Sequence, residues 1–126
     1  MEQKMTKIEI ITRPAKLDEL KEALNEIGVL GMTVSQVYGC GLQKGHKEVF
    51  RGKEFDINLV PKIKVETVVC EIPVERVIET AQKVLKTGKF GDGKIFVYEL
   101  SDAVRIRTGQ RGVDAIKDIP GEKPEK

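Results

Sequence analysis

Thr87-Gly88-Lys89-Phe90-Gly91-Asp92-Gly93-Lys94 packs three glycines and two lysines into eight residues. Glycines let backbone N–H groups turn toward an anion, and the lysines add positive charge. From Gly88 the spacing is G-x-x-x-x-G-K, close to the phosphate-binding P-loop. That label fails on two counts. The next residue is Ile95, so the hydroxyl that would hold Mg²⁺ is missing. The run also goes from helix to strand, whereas a P-loop goes from strand to helix. Phosphate binding therefore survives as a reading, and P-loop hydrolysis does not. The plainer alternative is a glycine-rich helix stop and turn.

Arg105 and Arg107 stand two apart on a short predicted strand, Val104–Arg107, so both face one side. Adjacent guanidiniums repel unless an anion lies between them, and Arg suits bidentate phosphate contact. The alternative is a solvated edge strand guarded by charge. With the glycine-rich segment close by in sequence, the pair favours a polyphosphate ligand. A second constellation is Gly39-Cys40-Gly41-Leu42-Gln43-Lys44-Gly45, where glycines permit a sharp exit and Gln43 offers both an amide oxygen and an NH₂. His46 is the only histidine, and no CxxC pair accompanies it, so no standard transition-metal site can be built. No nucleophile–base set can be named. Paired carboxylates such as Asp18 and Glu19 fall on a solvent-facing helix side.

These residues need positioning elements. Lys7–Thr12 alternates and is β-branched, which predicts a strand. Leu17, Leu20, Leu24 and Ile27 form one helical stripe, opened near Pro14 and stopped at Gly28. Gly31–Tyr38 reads as a second strand. Residues 41–59 show no convincing period and carry seven charges in nineteen positions, which predicts a long loop that is functional or disordered. A third strand begins at Lys62, a second helix at Pro73 with Gly88 as its stop, and a fourth strand covers Lys94–Leu100. The order β-α-β, loop, β-α-β predicts an α+β, ferredoxin-like split βαβ sandwich. Both helices cover one face. The consecutive apolar run Ile95-Phe96-Val97-Tyr98 predicts burial on both sides, with a second copy of the chain as the cover.

A chain of 126 residues and 14.1 kDa makes one domain, placed at residues 1–116, with a charged, proline-containing tail over 117–126 expected to be disordered. A net charge of +2 argues against direct nucleic-acid binding. No stretch approaches the ~18 apolar residues of a membrane span, and the first residues show no secretory h-region. Cys40 and Cys70 read as two reduced thiols, too far apart on antiparallel strands for a disulfide.

Over residues 7–116 the chain resembles the PII nitrogen-regulatory signal proteins, the GlnB/GlnK group. The resemblance rests on Gly31-Met32-Thr33-Val34, Gln43-Lys44-Gly45-His46, Arg51-Gly52, Pro61-Lys62, Thr87–Val97 and Arg105-Ile106-Arg107-Thr108-Gly109. The Gly39–Gln43 variant is similar to the Gram-positive branch. The resemblance implies a cytoplasmic, non-enzymatic homotrimer that binds ATP or ADP between subunits, and 2-oxoglutarate beside Mg-ATP. It implies nucleotide contacts at Gln43, Gly88, Lys89, Gly91, Asp92, Gly93, Lys94, Arg105 and Arg107, with Ile11, Thr33, Glu66 and Val68 around adenine and ribose. It implies that Gln43 and Lys62 hold Mg²⁺ and 2-oxoglutarate. Arg51 matches a loop arginine that plugs an ammonium transporter, recruiting the protein reversibly to the membrane. A nitrogen-responsive transcription factor or glutamine synthetase are further partners it suggests. Phe55 replaces a tyrosine that many members have uridylylated, Lys53 replaces a phosphorylated serine of another branch, and Leu42 replaces an arginine that helps grip ATP. The competing reading is a small nucleotide-binding phosphotransferase on the same fold. It lacks a placed catalytic base, since His46 lies in the long loop. A metal- or RNA-binding module is weak on ligand count and charge.

Overall fold

The computed structural model describes residues 4–41, 48–50, 53–55 and 58–117. Strand β1 (Thr6–Thr12) alternates buried and half-buried residues along its whole length, as a strand between two others must. Pro14 opens a single 3₁₀ turn, Pro14–Lys16, that leads into helix α1 (Leu17–Glu26). Leu20 and Leu24 are its buried residues. Gly28, at φ 98°, turns the chain out of the helix in the left-handed region and donates to the Asn25 carbonyl.

Strand β2 (Thr33–Gly41) and strand β5 (Asn58–Val69) pair antiparallel, from Thr33 opposite Glu66 to Gly41 opposite Asn58. Between them, β3 (Glu48–Phe50) pairs with β4 (Lys53–Phe55) as a separate two-stranded sheet. Three-residue strands are too short to show a period, which is why residues 41–59 read as irregular. Helix α2 (Val74–Leu85) starts directly after Pro73, whose carbonyl accepts from Arg76 and Val77. Strand β6 (Lys94–Glu99) then returns beside β1.

The four-stranded sheet has the order β2-β5-β1-β6, the split βαβ arrangement expected from the order of elements. Ile8, Ile10, Ile63, Val65 and Val69 of the sheet meet Leu20, Leu24, Val77, Ala81 and Leu85 of the helices in one core. Each buried Val, Leu or Ile side chain contributes roughly 1.5–3 kcal/mol, and Ala81 less.

Within the single chain one face of the apolar run in β6 stays open, the face for which a second copy is the expected cover. Ile95 and Val97 sit opposite Ile10 and Ile8 on the helix-facing side, while Phe96 and Tyr98 sit opposite Glu9 and Lys7 on the other. β6 is an edge strand, and Phe96, Val97 and Tyr98 each remain more than 40% exposed. One expectation is corrected: the predicted fifth strand is absent. Val104 makes one isolated bridge to Arg111, the Arg105 N–H donates to the Gln110 carbonyl, and Gly109 and Gly112 take positive φ. Segment 102–112 is thus a closed turn, followed by a short helix, α3 (Val113–Ile116), which has too few residues to show an apolar stripe.

Candidate functional site

The glycine-rich loop joins α2 to β6, and its shape is set by one carboxylate. Asp92 accepts hydrogen bonds from the Thr87 N–H at 2.9 Å and the Gly88 N–H at 3.0 Å, from the Thr87 hydroxyl, and from Arg13 Nη1 at 2.5 Å. The Thr87 hydroxyl, the Arg13 guanidinium and these amides hold the Asp92 carboxyl well below the usual carboxylate range. Arg13 Nη2 also donates to the Phe90 carbonyl at 2.8 Å, and the Thr12 hydroxyl donates to the Asp92 carbonyl at 2.8 Å. Lys62 Nζ donates to the Gly91 carbonyl at 2.7 Å. Gly93, at φ 105°, lies so close to β1 that a Cβ there would stand 1.8 Å from the Ile11 carbonyl oxygen.

A cavity of about 490 Å³ opens beside this loop. Seven residues named from sequence line it: Ile11, Lys62, Lys89, Gly91, Asp92, Gly93 and Lys94. Gly88 lines an adjoining cavity of about 380 Å³ on the α2 side of the same loop. Lys89 and Lys94 are exposed, so an anion in this region meets two solvent-facing ammonium groups. The Thr87 and Gly88 amides, expected to face an anion, face the chain's own carboxylate instead.

Glu66 and Thr33 face each other across β5 and β2, and Val68 lies opposite Lys7. Glu66 is paired to Lys7 at 2.8 Å and to Lys64 at 3.7 Å. The Lys7 hydrogen bond holds the Glu66 carboxyl down and raises the Lys7 ammonium in turn. Lys7 Nζ also lies 4.9 Å from the Tyr98 ring centroid, and the Tyr98 hydroxyl reaches Glu9 at 3.3 Å.

Arg105 and Arg107 do not join the loop. Strand β6 runs from Lys94 at the loop end to Glu99 at the other, and its five residue steps span about 17 Å. The arginines follow beyond Glu99, and Leu100 is tied to Met5 at the start of β1. They are also not on one strand face, since residues 106–108 form a turn. Arg105 bends back toward α3, where Nε donates to the Ala115 carbonyl at 3.3 Å and Nη2 to the Lys117 carbonyl at 2.5 Å. Gln43 and Arg51 lie outside the described residues.

Sequence reasoning missed Arg13 and Thr12. Thr12 ends β1 and Arg13 follows it directly, and Arg13 meets Asp92 across 79 positions. Their only sequence signal is a hydroxyl and a cation at a strand end before Pro14.

A glycine-rich loop on a split βαβ sheet narrows the fold but not the family. The family model for "Nitrogen regulatory protein P-II" matches residues 5–110. The chain belongs to the P-II family. A nitrogen regulatory PII-like protein of Bacillus subtilis is 52% identical over 116 residues, 92% of this chain and 100% of that one. A P-II protein of Rhodospirillum rubrum is 55% identical over 112 residues, 89% of this chain and 100% of that one. Among solved structures, the B. subtilis GlnK–ATP complex superposes with a TM-score of 0.77 at 49% identity, covering 91% of this chain and 98% of that one. Arabidopsis thaliana PII bound to citrate gives 0.71 at 42% identity, covering 90% and 92%. P-II proteins are regulatory, so this chain is a signalling protein and not an enzyme. Among the described residues no helix is long and apolar enough to cross a membrane.

Proposed function

We propose that this P-II chain senses ATP and ADP in clefts between the subunits of a homotrimer. It binds 2-oxoglutarate with Mg²⁺ beside ATP, and it signals through residues 41–59 to partners such as an ammonium transporter. One observation carries the nucleotide reading. The two phosphate-suited groups, the 87–94 loop and the Arg105–Arg107 pair, stand at opposite ends of one sheet. One triphosphate meets both only if they come from different chains. The related GlnK–ATP complex supports ATP as ligand.

Mg²⁺ takes oxygen ligands and is commonly held by one or two protein groups plus substrate phosphates. Such an ion would be coordinated mainly by ATP and 2-oxoglutarate, with Gln43 as the protein's oxygen and Lys62 beside the acid. When bound, the ion would supply charge neutralisation between the two anions.

Calorimetry tests the reading. The wild type should bind ATP and ADP, and should bind 2-oxoglutarate only with Mg-ATP present. Arg105→Glu should abolish nucleotide binding, because it places a carboxylate against phosphate. Unchanged ATP affinity in that variant would remove Arg105 from the site. Retention on vesicles bearing the transporter should change when 2-oxoglutarate is added.

A further inference from the structure

We propose that the Arg105 guanidinium is contested between nucleotide phosphate and the C-terminal end of α3, so that nucleotide binding releases residues 113–117. This rests on the reading of Arg105 as a phosphate ligand. A guanidinium has five N–H donors, one on Nε and two on each Nη. Nε donates to the Ala115 carbonyl at 3.3 Å. Nη2 donates to the Asp114 carbonyl at 3.5 Å and the Lys117 carbonyl at 2.5 Å. Both edges that a guanidinium offers for bidentate contact, Nε with Nη2 and Nη1 with Nη2, use an Nη2 proton. Both Nη2 protons are directed at α3 carbonyls. A bidentate phosphate grip therefore requires at least one of those carbonyls to let go.

The competition is unequal. The carbonyls at the end of a one-turn helix carry at most about half a unit of negative charge between them. A nucleotide phosphate carries a full charge or more, so the Arg105 guanidinium gains an ion pair there that a neutral carbonyl cannot give. A further tether among the described residues is weak. Lys117 Nζ pairs with Glu71 at 3.2 Å, but both side chains are exposed.

The released element is limited to 113–117 because the turn before it is fixed separately. Asp102 accepts from the Ala103 N–H at 2.8 Å, the Gly112 N–H at 3.1 Å and Arg111 Nε at 2.9 Å. Gly112, at φ 64°, is then the hinge. Ile116 and Lys117 wall a cavity of about 500 Å³ together with residues 28–31 and 67–72. Release of the segment opens this cavity at the end of the sheet remote from the glycine-rich loop.

Hydrogen exchange on the full chain tests the coupling. Without nucleotide, the Ala115 and Lys117 amides, bonded to the Gly112 and Val113 carbonyls, should be protected. Saturating ATP should speed their exchange about tenfold, the equivalent of one or two ordinary hydrogen bonds. Arg105→Lys keeps the charge but not the fork, so its segment should exchange fast with or without ATP. The uncharged change Ile116→Ser should loosen the segment and tighten ATP binding severalfold. Unchanged or slower exchange with ATP, in a protein whose Arg105→Ala variant loses ATP affinity, overturns the coupling and spares the site. An Arg105→Ala variant with unaltered ATP affinity overturns both.

Discussion

Asp92 reads from sequence as one more member of a glycine-rich anion loop, and in the structure it is the anion that the loop is folded around. Its carboxylate takes two amides, a hydroxyl and a guanidinium that would otherwise repel one another or point at solvent. Because its folded-state pKa lies below the ordinary 3.8, its contribution to stability is complete above that value and is lost as pH falls through the folded value. Asp92→Asn keeps the shape and loses the charge. The variant should therefore be less stable than wild type at neutral pH, and the gap should close in urea titrations carried below pH 3.8. A gap that persists unchanged into acid would mean the charge is not what holds the loop. The types and local spacing of Gly88, Lys89, Gly91, Gly93 and Lys94 were legible because they are contiguous. The role of Arg13 was not, because no local pattern links a strand end to a loop 79 positions later.

The glycine-rich loop works only because β1 and β6 hold it at contact distance. Gly93 sits where β6 begins, with its Cα against the Ile11 carbonyl. Gly93→Ala adds a Cβ at positive φ, costing about 1–2 kcal/mol, and drives it into backbone that cannot rotate away. The melting temperature should fall by roughly 5 °C or more. A Gly88→Ala control, at φ 84° with nothing within 4 Å, should lose less. Strand pairing makes a second check. Cys40 lies opposite Leu59, at the end of the β2–β5 pair nearest residues 42–57. Cys70 follows the far end of β5, and both cysteines are free. Thiol titration without reductant should find two thiols per chain, and finding none would disprove the pairing. Strong periodicity made both helices and the four main strands readable. Where the chain curls within a few residues, as at 102–117, period is undefined, so the turn reads as a strand and α3 leaves no sequence signal.

The sheet face away from the helices is neither plainly apolar nor plainly solvated. Lys7, Glu66, Lys64, Glu9 and Tyr98 form a paired network there, beside half-exposed Phe96 and close to the exposed Phe90. Ile106, between the two arginines, is 99% exposed. Apolar groups left at the loop end and at the arginine end suit a head-to-tail ring, in which one end of each chain meets the other end of the next. Such a ring makes a strong prediction about defective chains. Arg105→Glu spoils the arginine side and keeps the loop. Lys89→Glu with Lys94→Glu spoils the loop and keeps the arginines. Neither protein alone should bind ATP. When the two are co-refolded in equal amounts, a site is whole only where an intact loop meets an intact Arg105 from its neighbour, which random assembly gives in about a quarter of clefts. Calorimetry of the mixture should therefore recover about 0.25 ATP sites per chain at near wild-type affinity, in particles that light scattering places near three times 14.1 kDa. If loop and arginines served one nucleotide within a single chain, mixing would restore nothing, and the assignment of the site to the junction between subunits would fall.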